Sequence, residues 1–400
     1  MELESCYERA WAKKSLVVTV KIVIPVWGSN YLKTFFNLAL PTHMNPTNIP
    51  FISETNAIEY VFYTSKKDEE SIQNLISQSG VTQYAKIRIE TLNKRQISHN
   101  YIAYGIAHNR ELRKSVINND YVFLLNADII ISSNFFAEAI KIAQQGYKVV
   151  NIICPRAVLE DVEKTLLDEK ATFIRDISKT PSEIAEIWKR NIHPMMTYHL
   201  FPKTAGDDLL PASLIWHGKN DSYFFRNFHL HPILIVPNKK KIKRSKKTID
   251  AGGVFDYFEL NEIYTETSNK DFFSIELSTR SSFYLCPSQY GDSKSLSLYF
   301  SKQNKSNFNN FTHEVLVGDF SEVELHQLKN ISNSLIMKLA IDYLHSQNLK
   351  GKLPDFVFEF YIATAAYLVS KKDLLPNPVY SFLKAIHRKI MIFIFPHLLK

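Results

Sequence analysis

Cysteine is scarce in this 400-residue chain, with three in all, and Cys6, Cys154 and Cys286 stand far apart with no CxxC pair. That excludes a disulfide framework and a cysteine-based zinc site, and fits a reducing compartment. Glycine is also sparse, at 11 residues, and only one falls in Val26-Trp27-Gly28-Ser29-Asn30 after the first strand-like segment. A glycine-rich phosphate loop is therefore missing there, which counts against a nucleotidyltransferase. No window holds 18 consecutive apolar residues, so a spanning helix is not expected. The opening MELESCYERAWAKKS has no apolar stretch before a small-residue cleavage site, so no secretion signal is expected either. The sequons at Asn220, Asn304, Asn310 and Asn330 then read as chance matches to a short pattern.

What is abundant is apolar and aromatic side chain, 45% and 13% of the residues, enough to bury a large core and to exclude a disordered or fibrous chain. The formal net charge of +8 is compatible with nucleic acid, an anionic membrane or an anionic substrate. No aromatics interleave the basic run Lys239 to Lys247, so stacking on nucleic acid bases is not supported and no nucleic-acid partner is expected. A solvated loop is the plain reading of that run.

Residues 17–155 alternate strand-like and helix-like segments, the signature of helices packed on a mostly parallel sheet. Strands are predicted at Val17–Pro25, Glu59–Ser65, Ala85–Leu92, Asp120–Leu125 and Lys148–Ile153. Helices are predicted over Tyr31–Leu40, Lys67–Gln78 and His99–Asn118, and from Ser133 or Asn134 onward. Asn109 falls inside the apolar stripe of the third helix and needs a partner there. The stretch from Arg156 to about Leu200 reads as helical and charged, with a start at Pro181-Ser182-Glu183. Asn227–Val236 reads as one strand, residues 261–310 as polar loop, and the remainder as mainly helical.

Ligands of open parallel sheets bind beyond the carboxyl ends of the strands. The loops after the first, second and fourth strands hold Val26-Trp27-Gly28, Thr64-Ser65 and Asn126-Ala127-Asp128. A carboxylate just past a buried strand can hold Mg²⁺ or Mn²⁺ against a diphosphate, which makes Asp128 the natural candidate. Asn126 brings an amide that can bond a ribose hydroxyl or orient Asp128. The plain alternative is that the two residues cap a helix starting nearby.

The stretch His99–Asp128, with its helix, Asn109 and an apolar strand ending in Asn126-Ala127-Asp128, resembles the region before the DxD motif of family 2 glycosyltransferases of the GT-A fold. Lys21-Ile22-Val23-Ile24-Pro25-Val26-Trp27 resembles the family's first strand and nucleotide-binding turn. The resemblance spans roughly residues 17–155. It departs from the family at Asn126, which replaces the first acid of DxD, and at Thr64 and Ser65, which replace acids after the second strand.

The resemblance implies a GT-A catalytic domain over residues 17–260, after an N-terminal segment 1–16, and a loop-rich, helical extension over 261–400. It implies a nucleotide-diphosphate sugar donor contacted by Pro25, Trp27, Thr64, Asn126 and Asp128, with Trp27 or Tyr63 near the base. Trp27 is equally readable as a plain core aromatic.

The second half is read from its residues. His229 and His231 lie two apart on a predicted strand and so share a face. His231, just before Pro232, matches by chain order the histidine that GT-A enzymes add to the metal, so Asp128 and His231 are the expected metal pair. A hydrogen-bonded histidine pair at a strand edge is the alternative, and His217 is a weaker candidate. An inverting transfer needs a carboxylate beside the acceptor hydroxyl. Asp250, beside Gly252-Gly253, is the first choice and Asp221 the second, with Asp256 and Asp207-Asp208 also in this half.

In Pro378–Phe395 the residues Val379, Phe382, Leu383, Ile386, Ile390, Phe393 and Ile394 recur at helical spacing, with Lys384, His387, Arg388 and Lys389 largely opposite. Such a basic amphipathic helix suits an anionic leaflet, or docks on the core. The combined expectation is a cytoplasmic, peripheral enzyme acting on a glycolipid or polysaccharide precursor. A non-catalytic binding protein of the same fold is the alternative from another class.

Overall fold

A computed structural model of the protein describes residues 18–97, 100–116, 120–167, 177–197, 200–201, 213–237, 249, 253–282, 310–311 and 313–346. Asp250, Asp207-Asp208, the basic run 239–247 and the segment 378–395 lie outside the described residues. The chain divides into two units, residues 1–197 with 229–283, and residues 198–228 with 284–400.

The first unit is a mixed α/β fold on a mostly parallel sheet. Its strands, in chain order, are β1 (Thr19–Pro25), β2 (Ala57–Ser65), β3 (Lys86–Leu92), β4 (Tyr121–Leu124), β5 (Ile129–Ile131), β6 (Val149–Ile152) and β7 (Arg156–Val158). The second unit contributes β8 (Leu200–Phe201), β9 (Ser213–His217) and β10 (Tyr223–Asn227), and the chain then returns as β11 (His231–Ile235), β12 (Ile263–Thr265) and β13 (Ser274–Ser278). The order in the main sheet is β12-β6-β11-β4-β1-β2-β3, with β11 antiparallel to both neighbours. β1 is flanked by β2 and β4 and parallel to each, so the chain order reverses beside β1, and the carboxyl ends of β1 and β4 form the topological switch point of the sheet.

Burial explains which segments became central. In β1 every residue after Thr19 is buried, the continuous pattern of a parallel strand covered on both faces. Each fully buried branched side chain contributes about 1.5–3 kcal/mol relative to exposure. β3 alternates and is only half-buried, as suits the sheet edge it forms. The charged interior of β1 is matched too. Lys21 Nζ lies 2.6 Å from Asp120 and donates to Ser115 Oγ at 3.0 Å.

The main helices of this unit are α1 (Ser29–Thr34), α2 (Glu69–Ser79), α3 (Asn100–Ser115), α4 (Phe135–Gln144), α5 (Leu159–Leu166) and α6 (Pro181–Arg190). α1 runs on through a π-helical turn, Phe35–Ala39, into Leu40–His43, beyond the predicted end at Leu40. α6 starts where predicted, with Pro181 in its first turn and a reciprocal capping box between Thr180 and Glu183. Asn109 finds its partners inside α3's stripe, donating to Gly105 O at 2.8 Å and accepting from Tyr257 OH at 3.4 Å.

Three expectations are corrected. Arg156–Val158 is a strand before the helical stretch begins, because Ala157 and Val158 are buried in a small sheet, β5-β13-β7. Asn227–Val236 is not one strand. β10 ends at Asn227, β11 starts at His231, and apolar Phe228 and Leu230 bury in the connection between, which hid the break from a hydrophobicity pattern. Residues 261–310 are not all loop, since β12 pairs with β6 and β13 lies between β5 and β7. The first unit therefore runs past residue 260.

The second unit holds a four-stranded sheet, β14-β10-β9-β8, where β14 is Val315–Val317, and the helix α7 (Glu322–Ser346). Its core packs Leu214, Trp216, Phe224, Phe228, Phe311 and Leu339. Buried Arg226 is met by Phe311 O, Glu314, Ser332 and Asn333.

Candidate functional site

Asn126-Ala127-Asp128 leaves the carboxyl end of β4 and enters β5, not a helix; α4 begins only at Phe135, preceded by Asn134 in the left-handed region at φ 61°. The capping alternative for Asn126 and Asp128 is thereby removed. Ala127 is buried and holds the triplet down, while Asn126 and Asp128 are partly exposed. Among the described residues no other side chain hydrogen-bonds the Asp128 carboxylate or the Asn126 amide.

β13 brings the rest of the cluster. Leu277 N donates to Asp128 O at 2.7 Å, and Glu276 lies in register with Ile129 on one side and Arg156 on the other. The Glu276 Oε1 atom is 2.8 Å from Arg156 Nη2, and its Oε2 is 4.0 Å from His231 Nε2. His231 sits here because β11 runs antiparallel, so its first residue pairs with Ile152, the last of β6. The Asp128 carboxyl is raised to about 8, first by burial and then by the Glu276 carboxylate, with Arg156 opposing. The Cys154 thiol is likewise pushed up by burial and by Glu276.

Beside this cluster, Pro25 ends β1 in register with Tyr63. Trp27 is partly buried against the core, its ring 5.4 Å from that of Tyr104. Gly28, at φ 81°, donates its N–H to Asp68 Oδ2 at 2.9 Å, and the same oxygen accepts from Ser65 Oγ at 2.5 Å. A carboxylate is thus present after β2, three residues beyond Ser65. Thr64 is fully buried, and its Oγ1 has no partner among the described residues.

His231 lies beside Glu276, and Pro25, Trp27 and Asn126 fall at the carboxyl ends of the neighbouring parallel strands β1 and β4. His229 is in the connection before β11, so it does not share a strand face with His231. Asp221 is in the second unit, in the exposed turn between β9 and β10 at φ 55°, accepting from Tyr223 OH at 3.1 Å with His217 Nε2 at 3.4 Å. Sequence reading missed Glu276 and Asp68. The usable signals were the alternation Ser274-Ile275-Glu276-Leu277-Ser278 and the serine-to-acid spacing Ser65 to Asp68.

Among the described residues no three His, Cys, Asp or Glu side chains stand close enough to hold a metal ion by themselves. Mg²⁺ at a diphosphate is held by one or two carboxylates plus phosphate oxygens. Asp128 offers one carboxylate without a side-chain hydrogen bond at the end of β4.

No known protein family matches the sequence, and no curated protein matches it. Among solved structures, mouse xyloside xylosyltransferase 1 overlaps at 10% identity over 34% of this chain and 53% of its own, TM-score 0.26. The 4-diphosphocytidyl-2C-methyl-D-erythritol synthase of Anaerococcus prevotii overlaps at 13% identity over 36% of this chain and 58% of its own, TM-score 0.23. The chain thus spans little more than half the length of either. A mannosyltransferase from Pyrobaculum calidifontis, solved with GDP-Man and Mn²⁺, overlaps at 11% identity over 97% of this chain and 92% of its own, TM-score 0.31. Overlaps this weak carry no argument about the activity of this chain.

Proposed function

We propose that the protein is a glycosyltransferase that transfers a sugar from a nucleotide-diphosphate donor bound at the carboxyl ends of β1 and β4. The observation that carries the reading is Asp128, a carboxylate without a side-chain hydrogen bond at the switch point of a mostly parallel sheet, in a triplet that caps no helix. In this reading Trp27 and Asp68 flank the nucleoside, Pro25 shapes the turn beneath it, and Asn126 bonds the ribose. Buried Thr64 supports the floor of that pocket. Asp128 and His231 are the residues that would hold a divalent ion, which would supply charge neutralisation of a diphosphate leaving group.

The transfer needs an acceptor hydroxyl in line with the sugar and a base to take its proton. Asp250 is the proposed base and Asp221 the second choice. The acceptor is a glycolipid or polysaccharide precursor, a reading supported by the basic amphipathic pattern of residues 378–395, which also motivates a peripheral position on the cytoplasmic face of a membrane. No helix among the described residues is long and apolar enough to cross a membrane. Incubation of the full chain with a panel of sugar nucleotides and Mn²⁺ tests the activity. Release of nucleoside diphosphate from at least one donor is expected, and absence of release from all of them, with Asp128→Ala fully active in cells, overturns it.

A further inference from the structure

We infer that Asn151 and Thr265 form a neutral polar subsite at the carboxyl ends of β6 and β12 that reads hydroxyl groups of the transferred sugar. The inference rests on the proposed donor-site reading and deepens it. Among the described residues, the buried side-chain atoms on strands of the main sheet that lack a hydrogen-bond partner are Thr64 Oγ1, Asn151 Oδ1 and Thr265 Oγ1. Each residue stands in the last two positions of its strand, and β2, β6 and β12 all run in the direction of β1. Unsatisfied atoms thus collect along the edge where open sheets bind ligands, and among the described residues none stands at the amino ends of these strands.

Asn151 and Thr265 are neighbours in register across the parallel β6–β12 pair, so their side chains leave the sheet on one face. They follow Val149 and Ile263 by two residues, in the row that packs with Leu124 of β4. Two residues after Leu124 comes Asn126 of the donor site. Asn151 is 3% exposed and Thr265 8%. Their surroundings are well ordered by hydrogen bonds, since Glu266 donates its N–H to Asn151 O while its carboxylate accepts from Tyr264 OH, Thr267 N and Ser268 N. The residue paired with Asn151 on β11 is Pro232, which has no N–H to offer, and the register shifts between Pro232 and Leu234. A buried amide or hydroxyl without a partner costs stability, and leucine or valine in these places would carry no such cost. An uncharged amide and hydroxyl suit sugar hydroxyls rather than phosphate. Two strand spacings, about 10 Å, separate β6 from β4, within the reach of a sugar carried on a diphosphate held at the end of β4.

The test compares the affinity of the full chain, in Mn²⁺ buffer, for a panel of UDP- and GDP-hexoses with its affinity for UDP and GDP. In the double variant Asn151→Leu with Thr265→Val, affinity for the preferred sugar nucleotide is expected to fall about tenfold or more, and affinity for its bare nucleoside diphosphate to stay within about twofold. The melting temperature is expected to hold or rise, because both substitutions remove unpaired buried atoms; a merely structural pair would not combine that with lost sugar affinity. Thr265→Ser keeps the hydroxyl and is expected to bind as wild type does, and Thr265→Val alone serves where the double variant fails to fold. A folded variant that binds sugar nucleotide and bare diphosphate as wild type does, the result for a pair that holds only a buried water, overturns the inference and leaves the donor-site reading standing. No binding of any nucleoside diphosphate or sugar nucleotide by wild type overturns both.

Discussion

Two charged clusters in the first unit use the same residue types to opposite ends. At the β2–β3 edge, Arg88 is met by Glu59 at 3.1 Å, Glu90 at 2.7 Å and Glu111 at 2.6 Å, and Lys114 adds 3.0 Å contacts to Glu90 and Glu111. Tyr63 OH also donates to Glu111. At the carboxyl ends of β4 and β6, one arginine serves Glu276 and leaves Asp128 without a side-chain partner. Burial would raise both Glu111 and Asp128. In Glu111 the bonds from Arg88, Tyr63 and Lys114 outweigh it and the carboxyl falls below its ordinary range, whereas Asp128 rises. The first cluster is satisfied within the fold, and the second leaves the Asp128 carboxylate without a side-chain partner.

The largest effect that would break this contrast is on turnover. Asp128→Asn is expected to lower donor turnover by about a hundredfold or more, the scale of removing one preorganised electrostatic group. Its melting temperature is expected to stay level or rise, because an ionised Asp128 is disfavoured by burial and by Glu276. Calorimetric or fluorescence melting beside the rate assay checks both halves.

Next comes stability at the other cluster. Glu111→Ala removes one of the three carboxylates around Arg88 and the acceptor of the buried Tyr63 OH, and is expected to cost about 1–3 kcal/mol in chemical denaturation. Glu111's lowered carboxyl gives stability that is present above the unfolded carboxylate range and is lost as pH falls through the folded value.

A third region sharpens the comparison through pH. His43 is fully buried among Phe35, Tyr60 and Phe136, bonds Tyr60 OH at 2.9 Å, and is lowered by burial to about 3. The unfolded chain binds its proton below about pH 6.5 while the folded chain does not, so stability falls as pH drops from there toward 3. The loss at pH 5 is about 2 kcal/mol. Denaturant titrations at pH 7 and pH 5 are expected to differ by about this amount more in wild type than in His43→Phe. The smallest effect is at Asp68. Asp68→Asn weakens the bonds to Gly28 N–H and Ser65 Oγ and is expected to raise the donor KM by about threefold to tenfold, with a melting temperature within the range of ordinary surface changes.

Legibility in the sequence followed burial. β1, β2, β4 and β6 stood out because strands covered on both faces are runs of branched and aromatic residues, and each appears within a few residues of its predicted place. β13 did not stand out, because its Ser274, Glu276 and Ser278 alternate with apolar residues inside a polar stretch. Losing that strand meant losing Glu276, whose relation to Asp128 exists only once β13 pairs with β5. Phe228 and Leu230 caused the opposite error, joining β10 and β11 into one apparent strand. Asp128 and His231 were expected from their positions at strand ends, and Glu276, 4.0 Å from His231 and next in the chain to the Leu277 that bonds Asp128 O, was not, since nothing local connects residues so far apart in the chain.

The central claim is a donor site at Asp128, and nucleoside diphosphate release from a sugar-nucleotide panel tests it most directly when wild type and Asp128→Asn are run side by side. The account predicts release from at least one donor by wild type and a loss of about a hundredfold in Asp128→Asn at unchanged fold. Release that is equal in the two proteins, or absent from wild type across the panel, would contradict it.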